Sequence, residues 1–165
     1  MRTIVLIAHN LRSCHNVGSL LRTAEGLAVQ EVILSGYTPY PELPHDIRLP
    51  HMAMKITRQI HKTALGAENT MKWSHYHTAL EPITALQKAG FQIAAIEQHP
   101  SSQTLPEYAP PDKIALIVGR EVEGIEDEVL ALTDTVLEIP MYGMKESFNV
   151  VQAAAMGMYH CRFAT

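Results

Sequence analysis

Short apolar runs bounded by turn residues alternate with helical patterns along this chain, and that alternation restricts the fold more than any other feature. TIVLIAH (3–9) is a strand of the buried type, without the polar alternation of a half-exposed one. A helical pattern follows in NVGSLLRTAEGLA (16–28), ending near Gly26, and then a second strand, EVILSG (31–36). MKWSHY (71–76) offers a third strand, and EPITALQKAG (81–90) a helix closed by Gly90. Then come the strand FQIAAIEQ (91–98), a Pro- and Ser-containing loop from Pro100 to Pro111, and the strand KIALIVG (113–119). A short helix EDEVLAL (126–132), the strand TVLEIP (135–140) and a last helix from about Phe148 to Arg162 complete the order. Strands that alternate with helices predict an α/β fold, a mainly parallel sheet flanked by helices.

At 165 residues the chain suits one domain with a real core. No repeat or low-complexity tract divides it, and the Pro-rich segments near 39–50 and 100–111 read as loops rather than linkers. Apolar residues make up 47% and charged residues 18%, and no stretch approaches the ~20 apolar residues of a membrane span. The expected protein is soluble. Its opening MRTIVLIAHN lacks a small-residue cleavage site and ends in polar residues, so it reads as a strand and not an export signal. Cys14 and Cys161 lie far apart without CxxC spacing, which points to a reducing cytoplasm rather than zinc or a disulfide framework. His75 and His77 are spaced to share one face of a strand, but with no third ligand in range no metal is expected.

The net charge of −4 argues against nonspecific coating of nucleic acid, where Lys and Arg supply the affinity. Charge is unevenly spread, however. RLPHMAMKITRQIHK (48–62) carries Arg48, Lys55, Arg58 and Lys62 with no acid, and reads equally as a solvated surface segment or an RNA contact. Glu121, Glu123, Glu126, Asp127 and Glu128 crowd a later stretch.

Ligands of such sheets bind at the carboxyl ends of strands, so three turns matter most. In the first, a helical projection places Val17, Leu20, Leu21, Ala24, Leu27 and Ala28 in one apolar stripe and turns Arg22 away from the core. Arg22 is either solvated or functional, and Asn16 has a plain reading as the helix N-cap. In the second, IALIVGREVEGIEDEVLA (114–131), Gly119 and Gly124 let a cofactor approach the backbone, ahead of a helix starting near Ile125. Its acids favour the dipole of that helix and would repel a phosphate. Neither GxGxxG nor GxxxxGK[ST] occurs, so a phosphate-free or cationic cofactor is favoured. In the third, TVLEIP ends at Pro140, Gly143 allows a tight loop, and Ser147 suits the N-cap of the last helix. That helix, FNVVQAAAMGMYH, is apolar on most faces and needs cover from a partner subunit as well as from the sheet.

Taken together, Asn16-x5-Arg22-Thr23-Ala24, Gly119-x-Glu121-x2-Gly124, and Ile139-Pro140-Met141-x-Gly143 followed by Ser147-x-Asn149-Val150 resemble the three motifs of the SpoU (TrmH-like) ribose methyltransferases of the SPOUT superfamily. The resemblance runs from residue 1 to 165 and leaves nothing over for a separate RNA-binding extension, so a minimal single-domain member is expected. It implies a C-terminal deep trefoil knot, which general rules of chain topology would disfavour. It also implies S-adenosylmethionine bound by Ile96, Glu97, Gly119, Gly124, Ile139, Met141, Ser147 and Phe148. A homodimer is implied as well, in which Arg22 of one subunit approaches the cofactor site of the other.

The reaction so implied is methyl transfer to a ribose 2′-hydroxyl in RNA, with Arg22, Asn16, Glu121, Ser147 and Asn149 as the catalytic polar set. A 2′-hydroxyl makes RNA rather than DNA the substrate, tRNA ahead of rRNA. With no recognition extension, a shape-read tRNA or a helper protein would supply specificity, and residues 48–62 are the candidate for backbone contact. The third motif departs from the usual S-L-N-V-S: it reads SFNVV, with Phe148 for Leu and Val151 for the second Ser. This alters the cofactor pocket and removes one polar group. The rival readings are a noncatalytic knotted RNA-binding scaffold and, disfavoured by the missing phosphate loop, a doubly wound nucleotide-binding enzyme.

Overall fold

The computed structural model describes residues 1–164. Strand β1 (Thr3–His9) leads to helix α1 (Cys14–Gly26), β2 (Glu31–Ser35), α2 (Pro50–Ala64), the short α3 (Ala67–Thr70) and β3 (Trp73–Tyr76). Next are α4 (Leu80–Lys88), β4 (Gln92–Ile96), the two-residue β5 (Gln103–Thr104), β6 (Lys113–Val118), the short α5 (Asp127–Leu130), β7 (Thr135–Glu138) and α6 (Val150–Phe163). Seven strands form one sheet in the order β3-β2-β1-β6-β4-β7-β5, and every pairing is parallel. The predicted α/β architecture is therefore the observed one. Two late strands enter between earlier ones: β6 between β1 and β4, and β7 between β4 and β5.

Alternate residues of each central strand feed opposite cores, as the two-residue strand period requires. Ile4, Leu6 and Ala8 of β1 with Ile114, Leu116 and Val118 of β6 face α1, α2 and α6, whereas Val5, Ile7, Ala115 and Ile117 face α4 and α5. Burial on both faces explains why these strands read as continuous apolar runs. On α6, a Cβ at Gly157 would run into the Ile96 side chain, so this glycine lets the helix lie against β4.

Several local expectations are corrected. Ser13 caps α1, accepting from the Asn16 N–H at 3.2 Å, so Asn16 sits inside the first turn and is not the cap. The helix stops at Gly26; Leu27 still packs half-buried against the core, but Ala28 is exposed and leaves the projected stripe. Asn149, not Ser147, caps α6, its side chain accepting from the Val151 N–H at 2.8 Å. The loop 100–111 contains β5 and a single 3-10 turn, Leu105–Glu107, which anchors Leu105 and Tyr108 in the core. Helices α2 and α3 have no counterpart in the sequence reading. In α2 only Ala53, Ile60 and Ala64 are buried, an apolar stripe too thin to stand out beside exposed Met52 and Met54.

Candidate active site

Between β1 and β6 the chain departs in opposite directions, β2 and β3 lying on one side and β4, β7 and β5 on the other, and such switch points leave a crevice at the strands' carboxyl ends. The adjoining ends of β4, β6 and β7 frame a cleft of about 290 Å³. Ile96 and Glu97 line it from β4, Gly119, Glu121 and Gly124 from the loop after β6, Ile139 and Met141 from the exit of β7, and Ser147 and Phe148 from the approach to α6. All eight residues expected around the cofactor thus border one concavity.

Glu97 holds two of these walls together. Its carboxylate accepts from the Gln98 N–H at 2.8 Å and from the Ile125 N–H at 3.3 Å. Gly124 has φ +70°, and a Cβ there would strike that carboxylate, so both conformation and space demand glycine. Arg120 and Gly124 exchange two backbone hydrogen bonds of 3.2 Å, closing the loop on itself. Gln98 Nε2 donates to the Glu146 carbonyl at 2.6 Å and draws the third segment against β4.

The acids crowded in this loop fasten it to the β1–α1 turn and the first turn of α1. Asn10 Nδ2 donates to Glu126 Oε1 at 2.7 Å, Arg12 Nη2 to Glu123 Oε1 at 3.0 Å and Asn16 Nδ2 to Glu121 Oε1 at 3.2 Å. Asn10 adopts φ 56°, a left-handed conformation that asparagine tolerates, and its Oδ1 accepts from the Tyr37 N–H at 3.1 Å. Behind it, buried His9 sits between Ser35 Oγ at 2.9 Å from Nδ1 and Glu126 Oε2 at 3.2 Å from Nε2. His9 Nε2 also lies 3.1 Å from Asn10 Nδ2, so the amide of Asn10 and the carboxylate of Glu126, whose buried Oε2 has no hydrogen-bond partner, both meet the same ring nitrogen. Burial lowers the His9 pKa despite the opposing pull of Glu126. Burial would raise Glu126, but its own backbone N–H, Asn10, His9 and Arg120 bring it below the ordinary value. Its own backbone N–H, with Arg12 and Arg120 nearby, likewise holds Glu123 low.

The sequence shows these acids but not their partners. His9, Asn10, Arg12, Glu123 and Glu126 were outside its candidate set. The polar AHNLR turn at the carboxyl end of β1 was the available signal.

The expected polar set does not gather in one place within the chain. Glu121 and Ser147 line the cleft, and Asn16 reaches its rim through Glu121. Asn149 is an exposed helix cap outside the lining. Arg22 is exposed on α1, in a separate surface groove with Ser19 and Thr23 of the same helix and Lys62 and Thr63 of α2. His75 has a structural place: it stacks on Tyr40 with ring centroids 3.8 Å apart and donates from Nε2 to the Gly36 carbonyl at 3.2 Å. No cluster able to hold a metal ion occurs among the described residues, nor is any of their helices long and apolar enough to cross a membrane.

Comparison with known proteins agrees with this fold. The chain is 28% identical over 148 residues to the tRNA (guanosine(18)-2'-O)-methyltransferase of Escherichia coli strain K12, a match covering 90% of this chain and 58% of that protein. It spans about half the length of the first curated relatives it matches, 44% and 58%. An AdoMet-bound rRNA methyltransferase from Sinorhizobium meliloti superposes with a TM-score of 0.79 at 19% identity, covering 97% of this chain and 56% of that one. A solved chain described under structural insights into the 2-OH methylation of C/U34 on tRNA superposes at 0.75 with 21% identity, covering 97% and 94%. The fold is thus shared across proteins of quite different length. A family model extends over residues 3–159, and on that match the chain belongs to the SpoU rRNA Methylase family.

Proposed function

We propose that this protein methylates RNA at a ribose 2′-hydroxyl, using S-adenosylmethionine, with tRNA as substrate ahead of rRNA. The observation that carries the reading is the cleft itself, where three motif segments and the end of β4 close around one concavity. Its lining carries Glu97, Glu121, Glu123 and Glu146 against the single cation Arg120, whose Nε donates to the Gly124 carbonyl at 3.1 Å. A surplus of acid suits a sulfonium and opposes a phosphate, while Ile96, Val118, Ile139, Met141 and Phe148 suit an adenine ring. The cofactor, when bound, would supply a methyl group activated on a positively charged sulfur. The name of the Escherichia coli relative supports tRNA.

The chain's own residues would do the rest. A ribose hydroxyl is a poor nucleophile and must be oriented while charge on its oxygen is stabilised. A guanidinium is a poor base but a good anion ligand, so the work of Arg22 is to hold the neighbouring phosphate or the developing alkoxide. Its exposed position away from its own cleft supports a site completed by a second copy, Arg22 of one subunit facing the cleft of the other. Asn16 anchors the helix carrying Arg22 to Glu121 on the cleft rim, and Ser147 lies on the opposite wall. Asn149 fixes the start of α6 behind that wall. The proposal includes one domain over residues 1–165, a cytoplasmic location and a deep trefoil knot near the C-terminus, the last supported by the late insertion of β6 and β7 between earlier strands.

The test is transfer of labelled methyl from S-adenosylmethionine to bulk tRNA and to rRNA by purified protein. Transfer to tRNA is expected, with the modified linkage resisting alkaline cleavage, and Arg22→Ala abolishes it with the fold intact. Cofactor binding without transfer to any RNA pool would assign a scaffold role instead.

A further inference from the structure

The basic stretch of residues 48–62 gains its meaning from the helix it forms. Projected at 100° per residue, His51, Lys55, Arg58 and Lys62 of α2 fall within about 60° of one another. All four are exposed, and they stand opposite Ala53, Ile60 and Ala64, which face the core. The helix contains no acid, and Lys55, Arg58, Lys62 and Arg22 take part in none of the ion pairs among the described residues. By contrast Arg12, Arg48, Lys72 and Arg120 each meet a carboxylate. Lys62 then shares a surface groove with Arg22. In a chain of net charge −4, this leaves one unneutralised cationic ridge, running about 10 Å from Lys55 to Lys62 and ending beside Arg22.

We infer that α2 is the track for the RNA strand: Lys55, Arg58 and Lys62 contact successive phosphates and lead the target ribose toward Arg22. The inference rests on the methyltransferase reading above. A row of unpaired cations fits a polyanion, and the continuity with Arg22 selects the strand that carries the reacting hydroxyl. Because these contacts go to the backbone, they position the strand without reading its sequence.

The two readings are separated by measuring RNA binding without chemistry. Purified protein is titrated with bulk tRNA over a range of salt concentrations, beside the double variant Arg58→Gln with Lys62→Gln. A control of equal charge change, Lys88→Gln with Lys113→Gln, alters cations away from this ridge. Each phosphate contact removed should flatten the slope of log affinity against log salt by about 1, so the α2 variant should lose about 2 and the control nothing. Cofactor binding, measured on the same preparations, should be equal in all three. If the wild-type protein transfers methyl to tRNA and the α2 variant keeps the wild-type slope, or the control flattens it equally, the track is wrong and the methyltransferase reading stands. If the wild-type protein neither binds nor methylates tRNA or rRNA, both fail together.

Discussion

Asn149 and Ser147 stand two residues apart and do different work. The Asn149 side chain satisfies the Val151 N–H at the start of α6, whereas Ser147 makes no cap and lies on the cleft wall. Asn149→Ala should therefore cost about 1 kcal/mol of stability, the usual loss for a removed N-cap. In a chain of this size that lowers the thermal midpoint by about 2–4 °C in calorimetry. Ser147→Ala should leave the midpoint unchanged and weaken cofactor binding. His9 gives a second prediction, in pH. Its folded pKa lies below the ordinary value of about 6.5, so above that pH both folded and unfolded chains hold it neutral. Below about 6.5 the unfolded chain takes up the proton first, and stability falls as pH falls toward the folded pKa. Glu126, also held low, adds a further loss in stronger acid as the pH drops through its own folded pKa. Urea midpoints between pH 7 and 5 should show the decline, and His9→Gln should flatten it. The three fastenings of the loop to the β1–α1 turn and the first turn of α1 could not be read from the sequence. Their partners are more than a hundred residues apart, and helix-dipole chemistry already accounted for the acids locally.

Among the elements, β1, β4 and β6 were legible because burial on both faces leaves uninterrupted apolar runs in the sequence. Helix α2 was not, since most of its surface is wet and its one buried row is short. Its packing on α1 is nevertheless close. A Cβ on Gly18 would meet the Ile60 carbonyl and Thr63 Oγ1, and Thr63 Oγ1 donates to the His15 carbonyl at 2.8 Å. Gly18→Ala must then push the helices apart, with a destabilisation of about 1–3 kcal/mol expected for overpacking. The same displacement moves Lys62 relative to Arg22, so RNA affinity should drop more than cofactor affinity. Equal losses in both would mean that the junction supports the fold but not the track.

For the whole molecule, α6 poses the remaining question. Val150, Ala154, Gly157, Met158 and Cys161 are buried against the sheet, and burial lifts the Cys161 thiol to about 12. The opposite side leaves Tyr159 and Phe163 60% and 59% exposed, their rings paired at 4.7 Å, although the helix is apolar on most faces. In the proposed dimer a second copy of the chain would cover this side and also bring its Arg22 to the cleft, since Arg22 does not line the cleft of its own chain. Mixing two inactive proteins tests this. Arg22→Ala keeps an intact cleft, and Gly124→Val keeps Arg22 but drives a side chain into Glu97. Each alone should transfer no methyl group. After subunit exchange, half the dimers are mixed, and each has one cleft that is intact and faced by an Arg22. Activity should therefore return to about a quarter of wild type if each site borrows its arginine across a two-fold interface. A site that uses its own arginine would stay silent in the mixture. So would a mixture of subunits carrying Tyr159→Glu and Phe163→Glu, which should sediment as monomers while still binding cofactor.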